Sequence, residues 1–271
     1  MNTIKRLLPA AVMAALILLP GAWGGQPAYM VQAVVGDVKI IAGGVTKVAA
    51  EGQALGGGDT IVTGRNSMAD IAWGDRGLVR VNEKTRISVA SLVKKGDDPD
   101  MEMSGGSIMV MLTKLVRGES FQVKTSTQVA AVRGTSFQVS ADDDSSRVDV
   151  LTGSIVVHPV RDGMIFREIM ESVTEEHSVS LSRAMARDIV AKRRKIAVAL
   201  LQKGDLDALT DRFDAIRESR GFKKLNPKIR NEINERINRN RERTRERRDA
   251  VKQRKDKPKP DRGQRPPRPG R

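Results

Sequence analysis

Between Tyr29 and Pro159 the chain is a succession of short β-forming runs separated by turn residues, and nothing else in the sequence restricts the fold as strongly. "YMVQAVV" is closed by Gly36-Asp37, and "VKII" by Gly43-Gly44. "TIVT", "SMADIAW", "GLVRV", "RISVASLV", "SIMVML", "SFQVKT", "TQVAAV", "SFQVS", "RVDVL" and "SIVVHP" follow. Val, Ile and Thr dominate, and branched side chains suit a pleated surface better than a helix. Helical periodicity is absent. Phe121 with Val123, Phe137 with Val139 and Val148 with Val150 each flank a polar residue, and Ile155 with Val157 keep the same spacing. That period of two predicts one buried face and one wet face. The pattern fits a sandwich, a barrel or a β-solenoid. "LTGSI" predicts a tight hairpin around Thr152-Gly153, and "KKGDDPD" a polar surface loop.

The 271 residues suffice for one or two domains with a core. Aromatics are 3%, so the core must be built of Val, Ile, Leu, Met and Ala. The absence of cysteine excludes disulfides, thiolate metal sites and cysteine nucleophiles. Only two histidines exist, His158 and His177, too few for a multi-histidine metal centre.

Charge divides the chain. Residues 183–271 hold 30 Lys/Arg against 13 Asp/Glu, and residues 1–182 hold 18 against 20. A mildly acidic part is followed by a basic arm, a split that points to a boundary and an anionic partner. At the other end, Lys5 and Arg6 precede an apolar run from Leu7 to Leu19, broken by Pro20-Gly21. The run is shorter than the roughly 20 residues that span a bilayer. Ala22 and Gly24 fit a cleavage site, so residues 1–24 are expected to be a signal peptide and the protein to be exported to the periplasm or cell envelope of a bacterium.

Leu55 to Ser67 reads L-x-x-G-D-x-I-x-T-G-x-x-S, and Ala131 to Val139 reads A-V-R-G-T-x-F-x-V. With "GDVKI" before them, "GGSIMVML" between them and "VDVLTGSIVV" after them, these motifs resemble the FecR-type domain of bacterial sigma-factor regulators. The resemblance covers about residues 30–160. It implies a β-solenoid-like fold of short strands, an envelope location, and a binding or signalling role without catalysis. In the family's signalling members a cytoplasmic segment handles the sigma factor; that part is expected to be absent from this chain.

Beyond "REIMESVTEEHSVSLS" the pattern turns helical. A helix is predicted from about Ser182 to Lys203, stopped by Gly204. A second is predicted from an Asp205 N-cap, with Leu206, Leu209, Phe213 and Ile216 on one stripe and Gly221 as its stop. A third is predicted from Asn226-Pro227, with Ile229, Ile233 and Ile237 spaced by four. These helices are expected to pack on one another, the last extending into solvent. The expected organisation is thus a mainly β domain, β-solenoid-like or sandwich, at 25–160. A connecting segment at 161–182, a basic helical region at 183–252 and a disordered Pro/Arg/Lys-rich tail at 253–271 follow it.

Arg133, Gly134 and Thr135 are expected to form a structural turn. The guanidinium would satisfy turn carbonyls or a buried acid, Gly134 would supply a backbone angle or close approach, and Thr135 would close the turn. Arg239, Arg241, Arg243, Arg245, Arg247 and Arg248 are the candidates for contact with an anion. "DDDSS" and "DDPDME" lack the spacing of a calcium loop, and no nucleophile elbow, phosphate loop or dinucleotide fingerprint occurs. No catalysis, cofactor or metal is therefore expected. Export, and a basic arm whose only aromatics are Phe213 and Phe222, argue against nucleic acid. The expected partner is an envelope protein or an anionic glycan or cell-wall polymer. The alternative is an accessory role in cell-surface signalling.

Overall fold

The structure, a computed structural model, describes residues 29–90, 100–115, 120–132 and 134–256, with the side chains of the last helix as far as Val251. The signal-peptide region, most of the polar loop at 94–100, Arg133 and residues 257–271 lie outside the described residues.

The chain forms β1 (Tyr29–Val35), β2 (Val38–Ala42), β3 (Val45–Val48), β4 (Ala54–Leu55), β5 (Thr60–Thr63), β6 (Met68–Trp73), β7 (Gly77–Val81) and β8 (Arg86–Val89). There follow β9 (Met101–Leu112), β10 (Phe121–Lys124), β11 (Gln128–Val132), β12 (Ser136–Ala141), β13 (Ser145–Thr152), β14 (Ser154–Arg161), β15 (Met164–Ile165), β16 (Glu171–Thr174) and β17 (His177–Ser182). Then come α1 (Arg183–Lys192), β18 (Val198–Leu200), α2 (Lys203–Arg217), α3 (Arg220–Lys223) and α4 (Pro227–Asp256).

The strands build two sheets. The first runs β4-β1-β6-β7-β9-β12-β13-β17-β18. The second runs β3-β2-β5-β8-β9-β10-β11-β14-β16. Every pair is antiparallel except β9 with β10, so among the described residues the architecture is a sandwich and not a solenoid of parallel turns. Between the sheets lies one core, with Ile71, Val79, Val110, Val139 and Val148 from the first facing Ile61, Ile87, Val123 and Val157 from the second.

Strand β9 belongs to both sheets. Met101 to Gly105 pair in the second and Gly106 to Leu112 in the first. The bend falls on Gly105-Gly106. Gly106 has φ +98, and a Cβ there would stand 2.3 Å from Thr85 Oγ1. That hydroxyl donates to the Ser107 carbonyl and accepts from the Ser107 amide, pinning the bend. "LTGSI" is likewise a crossing, not a hairpin: β13 stays in the first sheet and β14 enters the second. Gly153, at φ +82, makes the corner.

Alternation predicts a wet outer face, and for the middle of the first sheet this does not hold. All five residues of β7 are buried. Val79 and Val81 point into the sandwich; Leu78 points outward and packs with Met109, Met111 and Leu151 beneath the helices. Leu206, Leu209, Phe213 and Ile216 of α2, Phe222 of α3, and Ile229, Ile233 and Ile237 of α4 cover that face. Full burial of such a side chain is worth about 1.5–3 kcal/mol, against about 0.2–0.5 kcal/mol for a surface ion pair on a helix. The docking of this third layer is therefore apolar in origin.

The helix boundaries differ from those predicted. Helix α1 ends at Lys192, because Arg193 turns left-handed (φ 48) and its amide caps the Ile189 carbonyl. The residues after it buy nothing as helix: Ile196 enters the core and β18 pairs with the free edge of β17. Gly204 sits in the first turn of α2 rather than ending a helix, and Gln202, not Asp205, is the N-cap. Helix α4 continues to Asp256, past the expected limit at 252. The segment 161–182, read as a connector, supplies β15, β16 and β17.

A polar clasp joins α3 to the N-terminal strands. Lys224 Nζ donates to the Gln32 carbonyl (2.8 Å) and to Glu51 Oε2 (2.7 Å), with Arg220 3.3 Å away. The Lys224 hydrogen bond leads in holding the Glu51 carboxyl below its usual range. A depressed folded-state value means this contribution is present above the unfolded carboxylate range and is lost as pH falls through the lower, folded value. Glu51→Gln is expected to flatten the acid side of the melting-temperature profile. Superimposable profiles for the two proteins would refute this.

Candidate functional site

The turn after β11 follows from its packing. Gly134 takes φ +93, and a Cβ there would lie 2.6 Å from both Lys114 Cα and the Thr113 carbonyl oxygen. Thr135 is fully buried; its hydroxyl donates to the Ser154 carbonyl (3.0 Å), and its carbonyl accepts from the Leu112 amide (3.1 Å). The turn thus clasps the end of β9 against the β13–β14 corner. Helix α4 reaches the same place: Glu232 Oε1 accepts from the Lys114 amide (2.7 Å) and Arg236 donates to the Leu112 carbonyl (2.7 Å). Burial lowers the affinity of Arg236 for its proton, against the opposing pull of Glu232. The two Thr135 hydrogen bonds named above, and the atoms nearest a Cβ at Gly134, all involve backbone.

The helical layer is fastened by a buried ion pair that the sequence reading did not single out. Asp70, 1% exposed on β6, accepts from Arg80 Nε (2.7 Å) and Nη2 (2.8 Å) of β7. Ser219, the N-cap of α3, donates to the same carboxylate at 3.1 Å. The predicted helix stop at Gly221 has another use. A Cβ there would stand 2.2 Å from Asp70 Oδ2, so only glycine lets α3 close over the pair. The available signal was an Asp and an Arg at outward positions of otherwise apolar strands.

The six arginines proposed for anion contact divide. Arg241 pairs with Asp214 on α2, Arg248 with Asp207 (3.1 Å), Arg239 with Glu235 (3.4 Å), and Arg247 lies 3.9 Å from Glu175. Thr244, on the same face, donates to Glu176. Between α2 and α4 a cavity of about 280 Å³ has Asp207, Asp211, Asp214, Arg241, Arg245 and Arg248 in its walls. Arg243 and Arg245 are exposed and, among the described residues, have no acidic partner within ion-pair distance. Arg241 and Arg248 thus link α4 to α2, and Thr244 and Arg247 link it to the β16–β17 turn, while Arg239 pairs within α4.

His158 is nearly buried, with Nδ1 3.2 Å from the Ile169 carbonyl, and His177 Nδ1 lies 2.9 Å from the Glu175 carbonyl. At one end of the sandwich Tyr29 stacks on Trp73 (6.1 Å between centroids), and Trp73 tilts against Phe121 (5.1 Å). Burial first, then the carboxylate of Asp100 that its hydroxyl meets at 3.3 Å, raise the Tyr29 phenol far above its ordinary range. Tyr29 and Phe121 are buried, and the half-buried Trp73 packs against the same core.

Residues 59–156 match the family model described as FecR protein. Two crystal structures, each of a provisionally assigned anti-sigma factor from Parabacteroides distasonis ATCC 8503, at 2.50 and 1.65 Å resolution, are similar to this chain. Both are 18% identical to it, with TM-scores of 0.42 and 0.41. Each match covers 55% of this chain and less than two thirds of the other, 62% and 63%. No curated protein matches. Among the described residues, no helix is long and apolar enough to cross a membrane.

Proposed function

We propose, on the premise that residues 59–156 form a FecR-type domain, that this protein is a non-catalytic interaction module of the bacterial envelope whose C-terminal positive charge holds it to an anionic glycan, cell-wall polymer or acidic protein. The observation that carries this reading is the uneven use of the arginines. The acids of α2 and the β16–β17 turn neutralise one face of α4, while Arg243 and Arg245 stay free. Residues 252–271 then add nine Lys/Arg against two Asp. Positive charge left over after internal pairing is available to an anionic surface, and such attraction weakens with salt.

The test is cosedimentation of the full chain with purified cell wall at low ionic strength. Retention is expected, and it should fall to background at high salt, on deletion of residues 252–271, or with Arg243→Gln/Arg245→Gln added to that deletion. A chain that stays in the supernatant at low salt overturns the proposal. An accessory role in cell-surface signalling is the second reading, supported by the family match alone. It requires a protein partner that survives high salt and loss of residues 252–271.

A further inference from the structure

The two outer faces of the sandwich differ. The first sheet is sealed by α2–α4, whereas a polar groove of about 560 Å³ opens on the outer side of the second. Its floor is β8, β9 and the β10–β11 turn; its walls are the β14–β15 turn and the start of α1. Arg86, Lys124, Arg161, Arg183 and Arg187 line it.

Three acids share the groove and leave the balance positive. Lys124 meets Glu102 at 3.4 Å. Asp162 serves two arginines, Arg161 at 3.7 Å and Arg187 at 3.4 Å. Asp143 forms no ion pair among the described residues, and neither do Arg86 and Arg183, both exposed. Arg161 Nε is buried and makes no hydrogen bond. Arg183 and Arg187 are one turn apart on α1, a like-charge spacing that costs a few tenths of a kcal/mol in an isolated helix. The first turn of α1 also carries no acid, although a helix N-terminus favours one. Positive charge is gathered at this wall against local preference, and an arginine-held anion relieves it.

We infer that this groove is a second anion site, distinct from the C-terminal charge, and that it takes a short acidic peptide segment of a partner protein. Guanidinium forks match carboxylates in a bidentate way. Five cations against three acids suit a segment with a few carboxylates; the three acids repel a dense polyphosphate. No aromatic ring lines the groove to stack on a sugar.

The test uses the full chain and a fluorescent hexapeptide, Gly-Asp-Glu-Gly-Asp-Glu, read by anisotropy. The acidic peptide is expected to bind and its Asn/Gln counterpart not to. Arg183→Gln/Arg187→Gln should weaken binding about tenfold or more, the loss of one charge-assisted hydrogen bond. Arg243→Gln/Arg245→Gln should leave it unchanged. Both arginines of α1 are exposed, so the variant should melt with the parent. Peptide binding indifferent to the α1 substitutions, or displaced more readily by oligogalacturonate or inorganic phosphate than by unlabelled peptide, would overturn the inference.

Discussion

Asp70→Ala is expected to lower the free energy of unfolding by about 3–5 kcal/mol, the range for a buried ion pair broken from one side. The carboxylate is almost fully covered, and Arg80 beneath the helices is 7% exposed. Removing the acid strands a guanidinium where water is excluded and takes the acceptor from Ser219. The lost charge partner outweighs the lost hydrogen bond, which alone is worth about 1 kcal/mol. The double variant Asp70→Leu/Arg80→Met removes both charges and should recover most of the loss. Denaturant titrations of the three proteins decide the matter. A single variant within about 1 kcal/mol of the parent would mean that the pair behaves like a surface salt bridge.

The second large effect is expected at Gly134. Gly134→Ala meets two penalties at once. The backbone angle is one that non-glycine residues adopt at about 1–3 kcal/mol, and the new methyl would stand 2.6 Å from backbone atoms of residues 113 and 114. Backbone cannot rotate away as a side chain can, so a total of about 3 kcal/mol or more is expected. Gly43→Ala is the control: its φ is also positive (+55), but nothing lies within 4 Å of the added methyl. It should cost only about 1 kcal/mol. Equal losses at the two positions would show that the close approach, as opposed to the angle, contributes nothing.

The strands were legible from branched residues and glycine-bearing turns, and the stripes of α2 and α4 from their spacing. Their destination was not. "SIMVML" and "GLVRV" do not alternate, and an apolar residue at nearly every position marks a strand covered on both sides. The unpartnered stripes of the helices were the matching half of that signal. Glycine proved ambiguous in another way. Gly204 and Gly221 look like helix stops, but one lies in a helix and the other makes room for a carboxylate 151 positions earlier in the chain. Short-range pattern carries propensity, and it cannot carry such an approach. The same limit applied to the arginines. Their charge was plain, but the acids that neutralise Arg241 and Arg248 lie 27 and 41 residues away in sequence, on another helix.

The sealing of the first sheet also sets an order of events. Ribosomes deliver the strands before the helices that cover them, so Leu78, Met109 and Met111 emerge well ahead of Phe213 and Ile233. During that interval the growing chain presents a flat, oily sheet surface of the kind that sticks to its neighbours. The basic segment that arrives last therefore does more than carry charge. Its apolar side covers Leu78, Met109 and Met111, which the first sheet alone would leave bare.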